Sequence, residues 1–298
     1  MRPRVVVLTG CLVAFTFGFA GGWGGARVEA RPPWGEGVHC PADLAARPQP
    51  VILLLHGTGS TVRGTWSWSY QPALVARGFD VCSVELVDRG NADIQASAAR
   101  VAGAVDALAV AGRRVSLVSH SQGGLVARAV LRWWPALRAH IDDVVMLGTP
   151  NHGIPMAELA CAERCVAAFQ QMRVASDFLG ALNALGDSSG VVSLTSVATI
   201  DDVLVPPDRA RLDGAENIVA QDLCRGRAVG HSGLVGDAAA FAIALDAITY
   251  PGPARAGRFD PDCEHERAFG MLEGPPSAGT NAPAPAVTGA EPPLTLGP

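Results

Sequence analysis

Residues 115–124 read Val-Ser-Leu-Val-Ser-His-Ser-Gln-Gly-Gly, an apolar run that leads into a serine with small residues around it. The run Val115–Ser119 is typical of a buried strand, and the pattern of Gln122–Trp134 predicts a helix that ends before a proline. A nucleophilic serine on a sharp strand-to-helix turn needs small residues two positions to either side, because larger side chains would collide there. Gly123 meets this need downstream, and the upstream position holds a serine instead of the usual glycine. The segment therefore predicts that Ser121 is a nucleophile on such a turn.

On both sides of this turn, apolar runs alternate with helical patterns. The predicted strands are Val51–Leu55, Phe79–Val84, Val115–Ser119, Val144–Leu147, Val191–Val197 and Asn217–Ala220, and the predicted helices are Gln71–Arg77, Asp93–Ala111, Gln122–Trp134 and Asp237–Ile248. Strands that alternate with helices predict an α/β fold with a mostly parallel sheet and helices on both faces.

Three parts of the chain depart from this alternation. Residues 154–190 are predicted to form two short amphipathic helices and no strand, which suggests a small helical cap over the site; ordinary surface helices are the alternative. Residues 274–298 are rich in Pro, Gly and Ala and carry one charge, so we expect a disordered tail. Residues 31–50 are expected to be an irregular lead-in. Between the N-terminal 30 residues and the tail, the predicted catalytic domain spans residues 31–273.

The N-terminus is typical of an export signal. Two early arginines precede an apolar stretch, Val5–Ala20, and the small residues that follow end in an acceptable cleavage site at Ala30. A lipid-attachment pattern ends at Cys11, but the apolar stretch continues beyond it, which disfavours lipid anchoring. We therefore expect a secreted protein whose signal peptide, residues 1–30, is removed near Ala30.

Composition excludes several chemistries. The net charge is −5, which gives no indication of nucleic-acid binding, and all 23 basic residues are arginines. A chain without lysine can form neither a Schiff base, nor a Walker A loop, nor a serine–lysine dyad.

Six cysteines remain after removal of the signal, which predicts three disulfides in an exported protein; the sequence pattern leaves fifteen pairings open. These cysteines are Cys40, Cys82, Cys161, Cys165, Cys224 and Cys263. We predict no metal site, because the cysteines and histidines lack ligand spacing.

A serine nucleophile needs a histidine base and an acid that orients it. His231 precedes the last predicted helix, whereas His265, the alternative, lies in a charged segment typical of an exposed surface. Asp201 and Asp202 both follow the strand Val191–Val197, and residue chemistry does not choose between them.

The oxyanion of an acyl-transfer reaction also needs preorganised donors. The backbone N–H of Gln122, directly after the nucleophile, is one candidate. Thr58, in the loop after the first long strand, is the other, with both its N–H and its hydroxyl.

With these residues in place, the chain resembles the secreted triacylglycerol lipases of the α/β-hydrolase superfamily, both the small bacterial lipases and the lipase B type. The resemblance extends from about Cys40 to Cys263. It is carried by His-Gly-Thr-Gly at 56–59, Ser-Gln-Gly-Gly at 121–124, Gly-Thr-Pro-Asn-His-Gly at 148–153, Thr199-x-x-Asp202-x-x-Val205-x-Pro207, Gln221-Asp222-Leu223-Cys224 and Gly-His-x-Gly at 230–233.

The resemblance implies hydrolysis of carboxylic esters, small or lipid-like and acyl glycerols among them, without a cofactor and with transient contact to a lipid interface. It favours Asp202 over Asp201, because the family pattern Asp-x-x-Val-x-Pro fits only Asp202. It also implies the disulfides Cys40–Cys82 and Cys224–Cys263, which leaves Cys161 with Cys165. A polyester depolymerase or an acyltransferase would use the same triad, and a non-catalytic binding module on this fold is the alternative of another class.

Overall fold

The structure is a computed structural model that describes residues 34–42, 44, 49–184, 191–268 and 270–272. The expected signal peptide with its cleavage site, and the expected tail, lie outside these residues. Within the described part of the chain, no helix combines the length and the apolar character needed to cross a membrane.

One seven-stranded sheet organises the described residues, with the strand order β1-β3-β2-β4-β5-β6-β7. Its strands are β1 (Val38–His39), β2 (Val51–Leu55), β3 (Val81–Val84), β4 (Val115–His120), β5 (Ile141–Leu147), β6 (Ser193–Ala198) and β7 (Glu216–Val219). Strand β1 pairs antiparallel with β3, and every other pair is parallel. The carboxyl ends of six strands therefore lie at one edge of the sheet.

Helices cover this sheet and continue beyond its carboxyl edge. They are α1 (Val62–Thr65), α2 (Tyr70–Ala76), α3 (Ile94–Val110), α4 (Gln122–Trp133), α5 (Pro155–Ala160), α6 (Ala167–Gln171), α7 (Asp177–Asn183), α8 (Pro207–Ala210), α9 (Ala220–Leu223) and α10 (Ala238–Thr249). Every predicted strand and helix named above has a counterpart, with ends that differ by up to about three residues.

Strand β2 explains why helices lie on both faces. All five of its residues are fully buried, as the continuous apolar run predicts. Leu53 and Leu55 pack with α3 and α4 in one hydrophobic cluster, whereas Ile52 and Leu54 pack with α2 and α10 in another. Because successive side chains of a strand point to opposite faces, the sheet separates two cores. The predicted α/β architecture is confirmed.

Three sequence-based expectations differ from the structure. The lead-in contains strand β1, which is only two residues long and antiparallel, too short to leave a pattern in the sequence. Strand β5 begins at Ile141 instead of Val144, because Asp142 and Asp143 interrupt the apolar run while belonging to the strand. Residues 154–184, the described part of the predicted cap, contain three helices, α5, α6 and α7, and not two.

Three disulfides join segments that are not held by strand pairing alone. Cys40–Cys82 ties the lead-in to β3, Cys161–Cys165 connects the end of α5 to the short segment before α6, and Cys224–Cys263 fixes the C-terminal segment to the end of α9. These are the pairs that the resemblance implies. The two long-range bridges close loops of 42 and 39 residues, and each such bridge contributes roughly 2–4 kcal/mol to stability.

A buried carboxyl lies near the amino end of β5. The Asp143 side chain is only 6% exposed, and its Oδ2 accepts a hydrogen bond of 2.9 Å from the Ser116 hydroxyl. Burial raises the pKa of Asp143 to about 7, and the negative charge of Asp142 adds to the rise; hydrogen bonds from Ser116 and Ser193 and the charge of Arg114 oppose it. The folded protein therefore holds a proton that an ordinary carboxyl has released.

This carboxyl makes stability depend on pH. The unfolded chain releases the proton near pH ~4, whereas the folded chain keeps it until about pH 7, so folding stability falls as the pH rises between these values. In the wild-type protein, the free energy of unfolding should decrease by roughly 1–4 kcal/mol between pH 4.5 and pH 8, as measured by urea titration. In Asp143→Asn this decrease should be absent. The control Asp106→Asn, on the exposed face of α3, should leave the pH dependence unchanged. An Asp143→Asn profile identical to the wild-type profile would contradict the assignment.

Candidate active site

Ser121 occupies a sharp turn between β4 and α4. Its φ of 53° and ψ of −127° are uncommon for a residue with a side chain, and such a conformation costs of order 1–3 kcal/mol. Two contacts hold it: the Ser121 N–H donates to the Leu147 carbonyl at 2.8 Å, and the Thr149 hydroxyl donates to the Ser121 carbonyl at 3.0 Å. Residues at and just after the end of β5 thus hold Ser121, which directly follows β4, in this conformation.

The glycines after Ser121 are required by close packing. A Cβ at Gly123 would lie 2.6 Å from the Leu55 carbonyl oxygen, and a Cβ at Gly124 would overlap with the Thr149 side chain. Upstream, the hydroxyl of Ser119 donates to the Val145 carbonyl at 2.7 Å and is fully buried. A serine therefore fits where glycine is usual, because its hydroxyl has a partner there.

The structure brings Ser121, His231 and Asp202 together. His231 Nε2 lies 3.0 Å from Ser121 Oγ, and His231 Nδ1 lies 2.6 Å from Asp202 Oδ2. Asp202 follows β6, and His231 follows β7 in the loop before α10, so all three side chains meet at the carboxyl edge of the sheet. With the Nδ1 proton directed at the carboxylate, Nε2 accepts the hydrogen bond of the serine hydroxyl.

Asp202 and Asp201 have different surroundings. Asp202 is 2% exposed, and its Oδ1 accepts the N–H groups of Leu204 at 2.9 Å and Val205 at 2.8 Å, which leaves Oδ2 for His231. Asp201 instead accepts the Val229 N–H at 3.2 Å and lies beside Gln221. The structure therefore brings Asp202, and not Asp201, to the histidine.

The two expected oxyanion donors lie on adjacent segments. The Gln122 N–H belongs to the first residue of α4, where backbone amides have no partner within the helix and the helix dipole favours negative charge. Thr58 follows β2 and is partly exposed. Gly90 lies between them: a Cβ there would lie 2.7 Å from Gln122 Oε1 and 3.2 Å from Thr58 Cα. A Cβ at Gly57, the residue before Thr58, would lie 3.0 Å from Ser121 Cβ, so the loop after β2 lies directly beside Ser121.

Three other histidines have distinct settings. His56 is fully buried; burial lowers its pKa, its Nδ1 donates to the Gly57 carbonyl, and its Nε2 accepts the Leu86 N–H. His120 is also buried, which lowers its pKa to about 3, and its Nε2 donates to the His231 carbonyl at 3.0 Å. His265 is exposed beside Asp262 and is not brought to Ser121. The contact of His120 with His231 was missed by sequence reasoning, because no pattern marks a bond to a distant carbonyl.

No metal centre accompanies these residues. In the ranges that the structure describes, no three side chains of His, Cys, Asp or Glu meet where they could hold a metal ion.

Comparison with known sequence families identifies the family to which the chain belongs. The sequence profile described as Domain of unknown function (DUF7379) matches residues 31–203, which is more than half of the chain. The chain belongs to this family. The match includes Thr58, Ser121 and Asp202 and ends before His231.

Individual relatives of this DUF7379 chain are lipases. Lipase B of Pseudozyma antarctica is 24% identical over 201 residues, which cover 63% of this chain and 58% of that protein. Lipase B of Aspergillus fumigatus superposes with a TM-score of 0.72 at 24% identity, over 79% of this chain and 62% of the other. The mature form of the Bacillus licheniformis lipase BlEst2 gives 0.52 at 20% identity, over 63% and 89%. These similarities confirm the α/β-hydrolase fold. The chain spans less than two thirds of either lipase B.

The packing at the turn gives a test with a matched control. Replacing Gly124→Ala should lower the free energy of unfolding by roughly 1–3 kcal/mol or more, because the new methyl group overlaps with Thr149. Replacing Gly103→Ala, at an exposed position of α3 with open space around it, should instead raise it by about 0.5–1 kcal/mol. Urea unfolding of both variants measures the difference. A Gly124→Ala variant with the same free energy of unfolding as the wild type would show that the turn tolerates a side chain.

Proposed function

We propose that this DUF7379 chain is a secreted serine esterase or lipase that hydrolyses carboxylic esters, acyl glycerols and related lipid esters in particular, through an acyl-enzyme. One observation carries the proposal: a continuous hydrogen-bonded series runs from Asp202 through His231 to Ser121. A serine hydroxyl is a weak nucleophile by itself, and such a series is what activates it near neutral pH.

The reaction starts when the Ser121 oxygen attacks the ester carbonyl carbon while His231 Nε2 takes the hydroxyl proton. The resulting oxyanion accepts hydrogen bonds from the Gln122 N–H and from Thr58. The imidazolium then gives its proton to the departing alkoxide, which leaves as the alcohol. Water attacks the acyl-serine by the same route, so that the acid is released and Ser121 is restored.

Asp202 acts on His231 and not on the substrate. Its Oδ2 accepts the Nδ1 proton, which fixes the tautomer that presents Nε2 to Ser121 and stabilises the imidazolium. Its Oδ1 is held by two backbone amides, so the carboxylate is fixed before the reaction. This geometry supports Asp202 in the role for which the sequence left Asp201 open.

The rim of the site supports lipid esters as the substrate class. Ile200 and Val203, within two residues of Asp202 on the loop after β6, are 65% and 75% exposed. Met156 and Leu159 on α5 are also exposed. These apolar side chains follow the carboxyl ends of β5 and β6, the edge that carries Ser121, and are suited to transient contact with acyl chains or a lipid interface. The names of the similar lipases agree with this substrate class.

Export is supported by the cysteines. All six cysteines of the described residues are paired in three disulfides, and such bridges persist in oxidising compartments. The signal peptide expected from the sequence supports export as well.

The proposal is tested by hydrolysis of p-nitrophenyl esters of short and long acyl chains, with and without an emulsion. The wild-type protein should hydrolyse them, and Ser121→Ala should remain folded and lose about 10⁴-fold or more in kcat. The control Ser67→Ala, an exposed serine whose hydroxyl bonds to the Arg63 carbonyl, should retain wild-type kcat. A Ser121→Ala enzyme within tenfold of the wild type would contradict the proposal.

The two adjacent aspartates give a second test. Asp202→Asn should lower kcat by about 10⁴-fold, because an amide cannot hold the productive tautomer of His231. Asp201→Asn should change kcat by less than about tenfold, since Asp201 bonds to Val229 and not to His231. Steady-state kinetics of both purified variants decide the matter, and the reverse order would assign the role to Asp201.

A further inference from the structure

The segment Val87–Asn91, between β3 and α3, has an unusual backbone. Asp88 has φ 49° and ψ 47°, Arg89 has φ 53° and ψ 29°, and Gly90 follows with φ 79°. Left-handed conformations are natural for glycine but cost residues with a Cβ about 1–2 kcal/mol each. Two such residues in succession persist only where the surroundings hold them, and backbone strain of this kind concentrates at functional sites.

This segment is bound to the loop that carries Thr58. The Gly59 N–H donates to the Arg89 carbonyl at 2.8 Å, and Arg89 Nη2 donates back to the Gly59 carbonyl at 2.6 Å. Arg89 therefore holds both polar backbone groups of the residue directly after Thr58. Arg89 makes both bonds while its backbone has the left-handed φ of 53°.

The same segment is bound to the turn that carries the nucleophile. Gln122 Nε2 donates to the Gly90 carbonyl at 2.9 Å, in a fully buried contact. Gly90 packs so closely against both segments that a Cβ would collide with Gln122 Oε1 and make a tight contact with Thr58 Cα. The two segments that supply oxyanion donors are thus connected to each other through residues 89 and 90.

Two further contacts anchor the segment itself. The Val87 N–H donates to the Ser97 hydroxyl on α3 at 3.1 Å, and the Asn91 carbonyl accepts the Ala168 N–H of α6 at 3.3 Å. The segment is therefore fixed to a core helix on one side and to the cap on the other.

We infer that Arg89 is a positioning residue that sets the oxyanion donors of Thr58 by holding Gly59. This inference rests on the proposed function, because it concerns the stabilisation of the oxyanion. The guanidinium of Arg89 is exposed and bonds to the backbone of a neighbouring loop, so its contribution is to the geometry of that loop. Stabilisation of the oxyanion is sensitive to such geometry, since donors act only when they are fixed before charge develops.

The test compares Arg89→Ala and Arg89→Lys with the control Arg132→Ala. Arg132 also donates to a carbonyl, that of Ala181 in α7, away from Thr58. Arg89→Ala should lower kcat for a p-nitrophenyl ester about tenfold with KM within about twofold, because the oxyanion is charged only in the transition state. Arg89→Lys, which keeps a donor, should restore part of the loss. Arg132→Ala should retain wild-type kcat.

Hydrogen–deuterium exchange provides a readout that does not depend on activity. Peptides that contain residues 56–60 should exchange faster in Arg89→Ala than in the wild type and should be unchanged in Arg132→Ala. If Arg89→Ala proves poorly folded, Arg89→Gly replaces it, because glycine accepts a φ of 53° without strain while the guanidinium is lost.

Each outcome has one meaning. Unchanged kcat in Arg89→Ala, with or without faster exchange, would overturn the inference, as would a raised KM at constant kcat, which would place Arg89 against the substrate instead. A wild-type protein that hydrolyses no ester would refute the proposed function. The exchange experiment would then still show whether Arg89 holds the loop at Gly59. Unchanged exchange in Arg89→Ala would overturn the inference about Arg89 as well.

Discussion

The site depends on the backbone of Ser121, which is held in a conformation that a residue with a side chain rarely adopts. The carbonyl of Leu147 and the hydroxyl of Thr149 fix this turn. Gly123 allows α4 to pack directly against the carboxyl end of β2, and Gly124 leaves room for the Thr149 side chain. Because the serine and the first amide of α4 belong to this one turn, the same constraint positions both the proposed nucleophile and one proposed oxyanion donor. The parallel sheet then brings Asp202 and His231 to the same edge.

Around this turn, buried polar groups are placed before any substrate arrives. One carboxylate oxygen of Asp202 accepts two backbone N–H groups, and the other accepts a hydrogen bond from His231. His120 donates a hydrogen bond to the backbone carbonyl of His231. Burial lowers the pKa of His120 to about 3, so it stays neutral and donates a hydrogen bond throughout the range in which the site would operate. Preorganisation of this kind is what distinguishes a catalytic arrangement from a surface cluster of the same residues.

Much of this was predictable from the sequence, and the limits have physical causes. The apolar runs and helical patterns predicted the sheet because strands buried on both faces must be continuously apolar, as in β2. Strand β5 was predicted three residues short, since a buried carboxyl such as Asp143 looks like a loop residue. Residue chemistry left Asp201 and Asp202 equal, because their difference lies in which backbone amides each one accepts. The left-handed backbone at Arg89 leaves no pattern in the sequence at all.

The most direct test of the account is covalent labelling with a fluorophosphonate, followed by peptide mapping. Such a probe captures a serine only when a base activates it and donors stabilise the tetrahedral adduct. We predict one adduct per chain, on the peptide that contains Ser121, and its loss in heat-denatured protein. Absence of an adduct from the folded protein, or modification of another serine while Ser121 stays free, would contradict the central claim that this turn presents an activated nucleophile.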